Sequence, residues 1–180
     1  VIDLDRFKEI NDVHGHHAGD CLLQTLAKRF ALQMTAGEII ARVGGDEFVA
    51  IKHPVHEQAD VDEFARRLGD CITEPVQRGT TTLTAGASIG ISRFPGDADN
   101  AEELIGRADL AMYRAKRAIG DAVCYYEPSM DEGRRERSSL AMELRHAVER
   151  DELVLHYQPQ LNLQSGEVIG YEALVRWKHR

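Results

Sequence analysis

Apolar residues in this chain switch repeatedly between steps of three and four and short unbroken runs, and this switching restricts the fold more than any other feature. From Asp20 the positions Leu22, Leu23, Leu26, Ala27, Phe30 and Met34 mark an amphipathic helix, with Gly37 as its stop signal. Two strand-like runs, 39–43 and 48–51, flank Gly44-Gly45-Asp46-Glu47, a spacing that predicts a β-hairpin because paired glycines tolerate positive φ. Val61, Phe64, Ala65, Leu68 and Ile72 predict a second helix over 59–72, closed at Glu74-Pro75. Residues 80–94, rich in Thr, Ser and Ile, favour extended chain up to the turn Pro95-Gly96-Asp97. Asn100 then reads as an N-cap with Glu103 in capping-box position, and Leu104, Ile105, Ala108, Ala111, Met112 and Ala115 continue as a helix. The run 123–126 closes the pattern as a strand.

Helices alternating with strands imply an α/β (α+β) sandwich in which helices cover a central sheet. After Pro128 the character changes. Between 131 and 150 charge is dense, yet Leu140, Leu144, Ala147 and Val148 keep a narrow apolar stripe, as expected of a linking helix. Two further strands, 153–157 and 168–174, are joined by the turn Gln164-Ser165-Gly166-Glu167. The chain's 180 residues, 43% of them hydrophobic, suffice for one core and the start of a second.

A formal net charge of −8 excludes the long-range positive field that would gather a nucleic-acid polymer, but leaves room for a small anion neutralised locally. Cys21, Cys71 and Cys124 are widely spaced and odd in number, which reads as buried thiols in a reducing cytoplasm rather than disulfides or a zinc site. No apolar run approaches the roughly 20 residues that span a bilayer, so no direct membrane contact is expected. Both ends read as cut: Val1-Ile2-Asp3-Leu4 looks like the end of an apolar strand, and Lys178-His179-Arg180 has no terminating feature. A cytoplasmic setting is expected for these residues, with anchoring through an upstream region left open.

Asp3 and Asp5 lie at the end of the first strand, and Asp46 and Glu47 at the hairpin tip. If the hairpin pairs beside that strand, the carboxylates converge and suit Mg²⁺, a hard cation that takes one or two protein carboxylates together with phosphate oxygens. A calcium loop starting at Asp3 fails, because Phe7 and Lys8 stand where it needs Asp or Asn and then Gly. His14, His16 and His17 cluster without a further ligand at zinc spacing and read as a local polar loop.

Five ordered stretches together resemble the GGDEF diguanylate cyclases: Asp3-Leu4-Asp5-Arg6-Phe7-Lys8-Glu9-Ile10-Asn11-Asp12; Gly15-His16 with Gly19-Asp20; Arg42-Val43-Gly44-Gly45-Asp46-Glu47-Phe48; Ser88-Ile89-Gly90-Ile91; and Ala108-Asp109 through Tyr113-Arg114-Ala115-Lys116. The resemblance covers about residues 1 to 130 and implies a nucleotidyl-cyclase-like fold with a mostly antiparallel central sheet. It implies the condensation of two GTP into cyclic di-GMP and two pyrophosphates, with Mg²⁺ or Mn²⁺ as cofactor and a homodimer bringing two half-sites together. By the same resemblance, Asp3 and Asp46 would bind the metal through their side chains and Leu4 through its backbone carbonyl. Asp46 and Glu47 would be catalytic, with Glu47 attending the attacking 3′-hydroxyl. Asn11 and Asp20 would read guanine, and Lys8 and Lys116 would contact phosphate. An acceptor carboxylate facing the guanine N1–H and 2-amino group disfavours adenine, which has no such donor pair.

Two departures from the family pattern matter. Ile119-Gly120-Asp121 stands where a Gly-Arg-Asn is common, removing a phosphate-contacting arginine. That loss supports an alternative in which the domain binds GTP and regulates an attached phosphodiesterase without cyclising. Thr35 and Glu38 occupy the ends of the Arg-x-x-Asp motif that binds inhibitory product in many cyclases, so no tight feedback binding is expected there.

The tail, Tyr157-Gln158-Pro159 followed by Glu172-Ala173-Leu174-Val175-Arg176-Trp177, resembles the start of an EAL phosphodiesterase domain. Glu172 matches its first metal ligand, and Gln158, Leu174 and Arg176 match residues near substrate. The implied organisation is a cyclase domain at 1–130, a linker helix at 131–150, and the first hairpin of an incomplete TIM-barrel-like EAL domain at 151–180, too little of it to hydrolyse cyclic di-GMP.

Overall fold

A computed structural model describes residues 1–118 and 122–179. Ile119, Gly120 and Asp121, the departure noted above, lie outside the described residues, as does Arg180. The chain divides into two compact units, Val1–Met130 and Asp131–Arg180.

In the first unit the elements run β1 (Ile2–Asp5), α1 (Phe7–His14), α2 (His16–Gln33), β2 (Glu38–Gly44), β3 (Glu47–Lys52), α3 (Gln58–Thr73), β4 (Val76–Arg78), β5 (Thr81–Leu83), β6 (Gly86–Ile91), α4 (Ala101–Arg117) and β7 (Val123–Tyr125). Five strands form one sheet in the order β2-β3-β1-β6-β7, antiparallel throughout except for the parallel β6–β7 pair. The predicted mixed fold with a mostly antiparallel sheet is the observed one.

Strand alternation gives this sheet two unlike faces. Ile2 pairs with Phe48 on one side and Ile89 on the other, and Leu4 pairs with Ala87, so one face is apolar across three strands. It is sealed by Leu22, Leu26 and Phe30 of α2 and by Phe64, Leu68 and Ile72 of α3, all buried. Burying each such side chain contributes about 1.5–3 kcal/mol. The opposite face carries Asp3, Glu47 and Ser88 in register, with Asp5 and Gly90 further along. There α4 lies close: a Cβ on Gly90 would overlap the backbone of Ala108 and Met112, so only glycine permits this approach.

Several local expectations need correction. His14 ends α1, and His16 and His17 open α2, so the histidines flank the helix junction at Gly15 rather than forming a loop. Helix α1 escapes periodicity analysis because its eight residues offer only a few apolar positions, of which Phe7 and Ile10 pack on the core. Of the paired glycines only Gly45 takes positive φ, 36°, while Gly44 ends β2 beyond a register shift. The stretch 80–94 begins with β5, which pairs with an unforeseen partner, β4. At α4, Asn100 Oδ1 accepts from the Glu103 amide as expected, but the Glu103 carboxylate accepts from the Asp99 amide instead of closing the box on Asn100. Among the cysteines Cys71 is buried, whereas Cys21 and Cys124 are half-buried thiols.

Glu38 is a buried acid within a ring of donors. Its carboxylate accepts from Lys52 Nζ at 2.7 Å, Arg67 Nη2 at 2.5 Å and the Thr35 amide at 3.0 Å. Burial alone would push its carboxyl upward; the bonds from Lys52, Thr35 and Arg67 outweigh this and hold it at about 2.

Helix α5 (Ser129–Arg145) leads into the second unit, followed by β8 (Leu153–Leu161) and β9 (Val168–Trp177), an antiparallel hairpin. Of the expected apolar stripe, Ala147 is buried, while Leu140, Leu144 and Val148 are exposed. Glu152 accepts from Trp177 Nε1 at 3.0 Å, and His179 Nε2 lies 2.8 Å from Glu143. Among the described residues no helix is long and apolar enough to cross a membrane.

Candidate active site

The acids converge because β1 is a central strand and β3 pairs beside it. Asp3 stands opposite Glu47 in the β1–β3 register, and the Leu4 amide donates to the Asp46 carbonyl at 3.2 Å, tying the hairpin tip to the strand. Arg42 Nε donates to the Gly45 carbonyl at 2.9 Å and braces the same turn. Asp3 is only 6% exposed, Asp46 is half-buried and Glu47 is exposed.

A buried carboxylate requires a partner. Lys116, in the last turn of α4, supplies it: Nζ lies 2.6 Å from Asp3 Oδ1. The Asp3 hydrogen bond is the main cause of a raised Lys116 pKa; burial opposes it, and the charges of Asp3, Asp46 and Asp5 add to it. Asp5 is held in turn by Ser88 Oγ, which donates to Asp5 Oδ1 at 2.8 Å. The sequence reading placed Asp5 in the acid cluster but missed Ser88 as its support. A small polar residue alternating with the buried Ala87 and Ile89 of β6 was the available signal.

The other candidates lie on the two leading helices. Asn11 is half-buried on α1, and its Oδ1 is buried without a hydrogen-bond partner, packed where a Cβ on Gly19 would intrude. Such an orphan acceptor costs about 1–3 kcal/mol unless something outside the chain donates to it. Asp20 is exposed near the start of α2, on a cavity of about 470 Å³ that also touches Gln24, Phe30, Ile40, Arg42 and Phe48. Lys8 is exposed on α1, and among the described residues no hydrogen bond or ion pair joins it to the acids.

Among the described residues no group of three His, Cys, Asp or Glu side chains is arranged to hold a metal ion. The cluster nonetheless fits a cation. A lysine ammonium already rests on its innermost acid, and Mg²⁺ characteristically completes its shell with water and phosphate oxygens.

In the second unit, Glu172, Leu174 and Arg176 alternate along β9 and therefore share a face of the hairpin. Gln158 pairs directly opposite Glu172, so all four sequence candidates present to one side.

Residues 1–121 match the family described as diguanylate cyclase, GGDEF domain, and residues 141–180 match the EAL domain. The chain belongs to the GGDEF family. It is 44% identical over 178 residues to MucR of Pseudomonas aeruginosa, a bifunctional diguanylate cyclase/cyclic di-GMP phosphodiesterase, covering 99% of this chain and 26% of MucR. The chain thus spans about a quarter of the length of the curated relatives it matches. Among solved structures, the GGDEF domain of YfiN (TpbB) from Pseudomonas aeruginosa is 38% identical with a TM-score of 0.66, covering 70% of this chain and 79% of that one. The GGDEF domain of DgcB from Caulobacter crescentus, in complex with c-di-GMP, is 27% identical with a TM-score of 0.60, covering 69% and 74%. These GGDEF neighbours share the mixed sheet-and-helix architecture, and the chain belongs to cyclic-di-GMP signalling.

Proposed function

We propose that residues 1–130 form a diguanylate cyclase domain that joins two GTP into cyclic di-GMP with release of two pyrophosphates. The observation that carries this reading is Asp3, a buried acid on the sheet face shared with Glu47 and balanced by Lys116 from α4. Asp3, Asp46 and the Leu4 carbonyl would hold Mg²⁺ or Mn²⁺, which when bound supplies charge neutralisation at the phosphates. Glu47, on the exposed edge, attends the 3′-hydroxyl that attacks the α-phosphate. Asn11 and Asp20 read guanine from the two leading helices. Lys8 and Lys116 meet the phosphates. Each domain would position one nucleotide, so the two half-reactions need two copies facing each other in a homodimer.

Residues 131–150 then link this domain to an EAL phosphodiesterase beginning at 151, whose first ligand is Glu172 with Gln158, Leu174 and Arg176 beside it. The whole protein would make and degrade cyclic di-GMP, with these two domains in the cytoplasm.

The test is incubation of the chain with GTP and Mg²⁺, followed by nucleotide chromatography, for the wild type and Asp46→Ala. Cyclic di-GMP from the wild type alone supports cyclisation. One sequence feature favours a second reading, a regulatory GTP-binding domain: Ile119-Gly120-Asp121 provides no arginine for the phosphates. That reading expects GTP binding with no cyclic product from either protein.

A further inference from the structure

The ion pair between Lys116 and Asp3 has a consequence for the order in which ligands arrive. Asp3 is the most buried acid of the cluster, and its Oδ1 carries an ammonium at 2.6 Å. That ammonium also lies in the field of Asp46 and Asp5, so the position a divalent cation would neutralise is already neutralised from within. Asp5 is held in its place by Ser88, whose Oγ donates to Asp5 Oδ1 at 2.8 Å. Lys116 is the movable partner: its side chain is 44% exposed, and its stem hangs from the last turn of α4, whose backbone is fixed against β6 at Gly90.

We propose that Lys116 is a resident counter-cation that guards Asp3 and leaves it only when nucleotide phosphate oxygens offer the ammonium another partner. Resting on the cyclase reading above, this makes metal capture contingent on nucleotide. A divalent ion alone must displace Lys116 from a buried acid into water, or share the carboxylate with it against charge repulsion. Nucleotide removes that obstacle, because its phosphates accept the released ammonium while adding oxygen ligands for the ion. The lysine thus keeps the acids paired and folded in the empty state and suppresses metal binding that would lead nowhere.

The experiment measures Mn²⁺ binding to the full chain by electron paramagnetic resonance and calorimetry, with and without a GTP analogue carrying a methylene bridge between its α- and β-phosphorus atoms. Proteins compared are the wild type, Lys116→Met, Lys116→Arg and Asp3→Asn. Without nucleotide, Lys116→Met is expected to bind Mn²⁺ on the order of tenfold more tightly than wild type, because the competing charge is gone. Lys116→Arg keeps the charge and is expected to stay weak. The analogue should tighten Mn²⁺ binding strongly in the wild type and much less in Lys116→Met. Equal or weaker nucleotide-free Mn²⁺ binding in Lys116→Met overturns the guarding role. If Lys116→Met fails to fold, the wild-type series decides: Mn²⁺ affinity that does not change with the analogue overturns the proposal. Failure of the parent reading is separately visible, because Asp3→Asn would then bind Mn²⁺ as tightly as wild type in the presence of the analogue.

Discussion

The two units display acids in contrasting ways. In Val1–Met130 much of the candidate cluster is held by specific contacts: Asp3 by a central strand and Lys116, Asp5 by Ser88, and the Asp46 turn by Leu4 and Arg42. In Asp131–Arg180 the corresponding residues sit on a two-stranded hairpin whose Leu155, Tyr157, Ile169, Tyr171 and Val175 are all exposed. An isolated hairpin is marginal in water, and strand register aligns Glu172 with Gln158, with no hydrogen bond or ion pair on the glutamate side chain among the described residues. Shared face position is enough to nominate residues, whereas the first unit also shows, among the described residues, the bonds that hold its acids in place.

The strongest way to break this contrast is at the hairpin tip. Asp46→Ala is expected to reduce cyclic di-GMP formation on the order of 10³-fold while leaving the unfolding midpoint near wild type, since Asp46 is only half-buried. Chromatography of GTP reactions and a urea melt check both parts. A comparable drop in stability would mean that the acid serves the fold rather than the chemistry.

Next in size is Gly90→Ala. The added methyl would meet α4 backbone at Ala108 and Met112, atoms that cannot rotate aside, so a loss of about 3 kcal/mol is expected. GTP affinity should fall with it, because α4 carries Lys116. Calorimetric unfolding and nucleotide titration of the same sample would show whether the two move together.

Glu38→Gln removes the charge that Lys52 and Arg67 share and is expected to cost about 3 kcal/mol. The sign of the pH effect follows from the depressed carboxyl. With a folded value near 2 against an ordinary 4.5, Glu38 contributes fully above 4.5, loses that contribution as pH falls toward 2, and contributes nothing below. Urea unfolding at about pH 5 and about pH 3 should show a steeper decline for wild type than for Glu38→Gln.

Much of this was legible beforehand. The β2–β3 hairpin, α2, α3 and α4 follow from periodicity, and the pairing of β3 beside β1 was the one inference needed to bring Asp3 to Glu47. What escaped were features that depend on contacts distant in sequence. Glu38 looked like a remnant of a surface motif, yet it is buried because Arg67, 29 residues away, and Lys52 reach it. Ser88 looked like part of a strand signature until its register opposite Asp3 set it beside Asp5. Helix α1 and the β4–β5 pair were too short to leave a period. The orphan acceptor on Asn11 depends on where α2 packs, which no local pattern encodes.

The smallest effect expected, that of Ile169→Ala, is read against its buried counterpart. Ile89 of β6 and Ile169 of β9 are both strand isoleucines, but the first is 4% exposed and the second 69%. Ile89→Ala empties part of the core and is expected to cost about 2–5 kcal/mol. Ile169→Ala removes little buried surface and should stay within about 0.5 kcal/mol. Amide exchange adds a local readout to the unfolding curves: β6 should exchange only through global opening, whereas β8 and β9 should exchange faster through local opening. If Ile169→Ala destabilises as much as Ile89→Ala, the hairpin is covered by apolar partners in solution, and the second unit is as firmly built as the first.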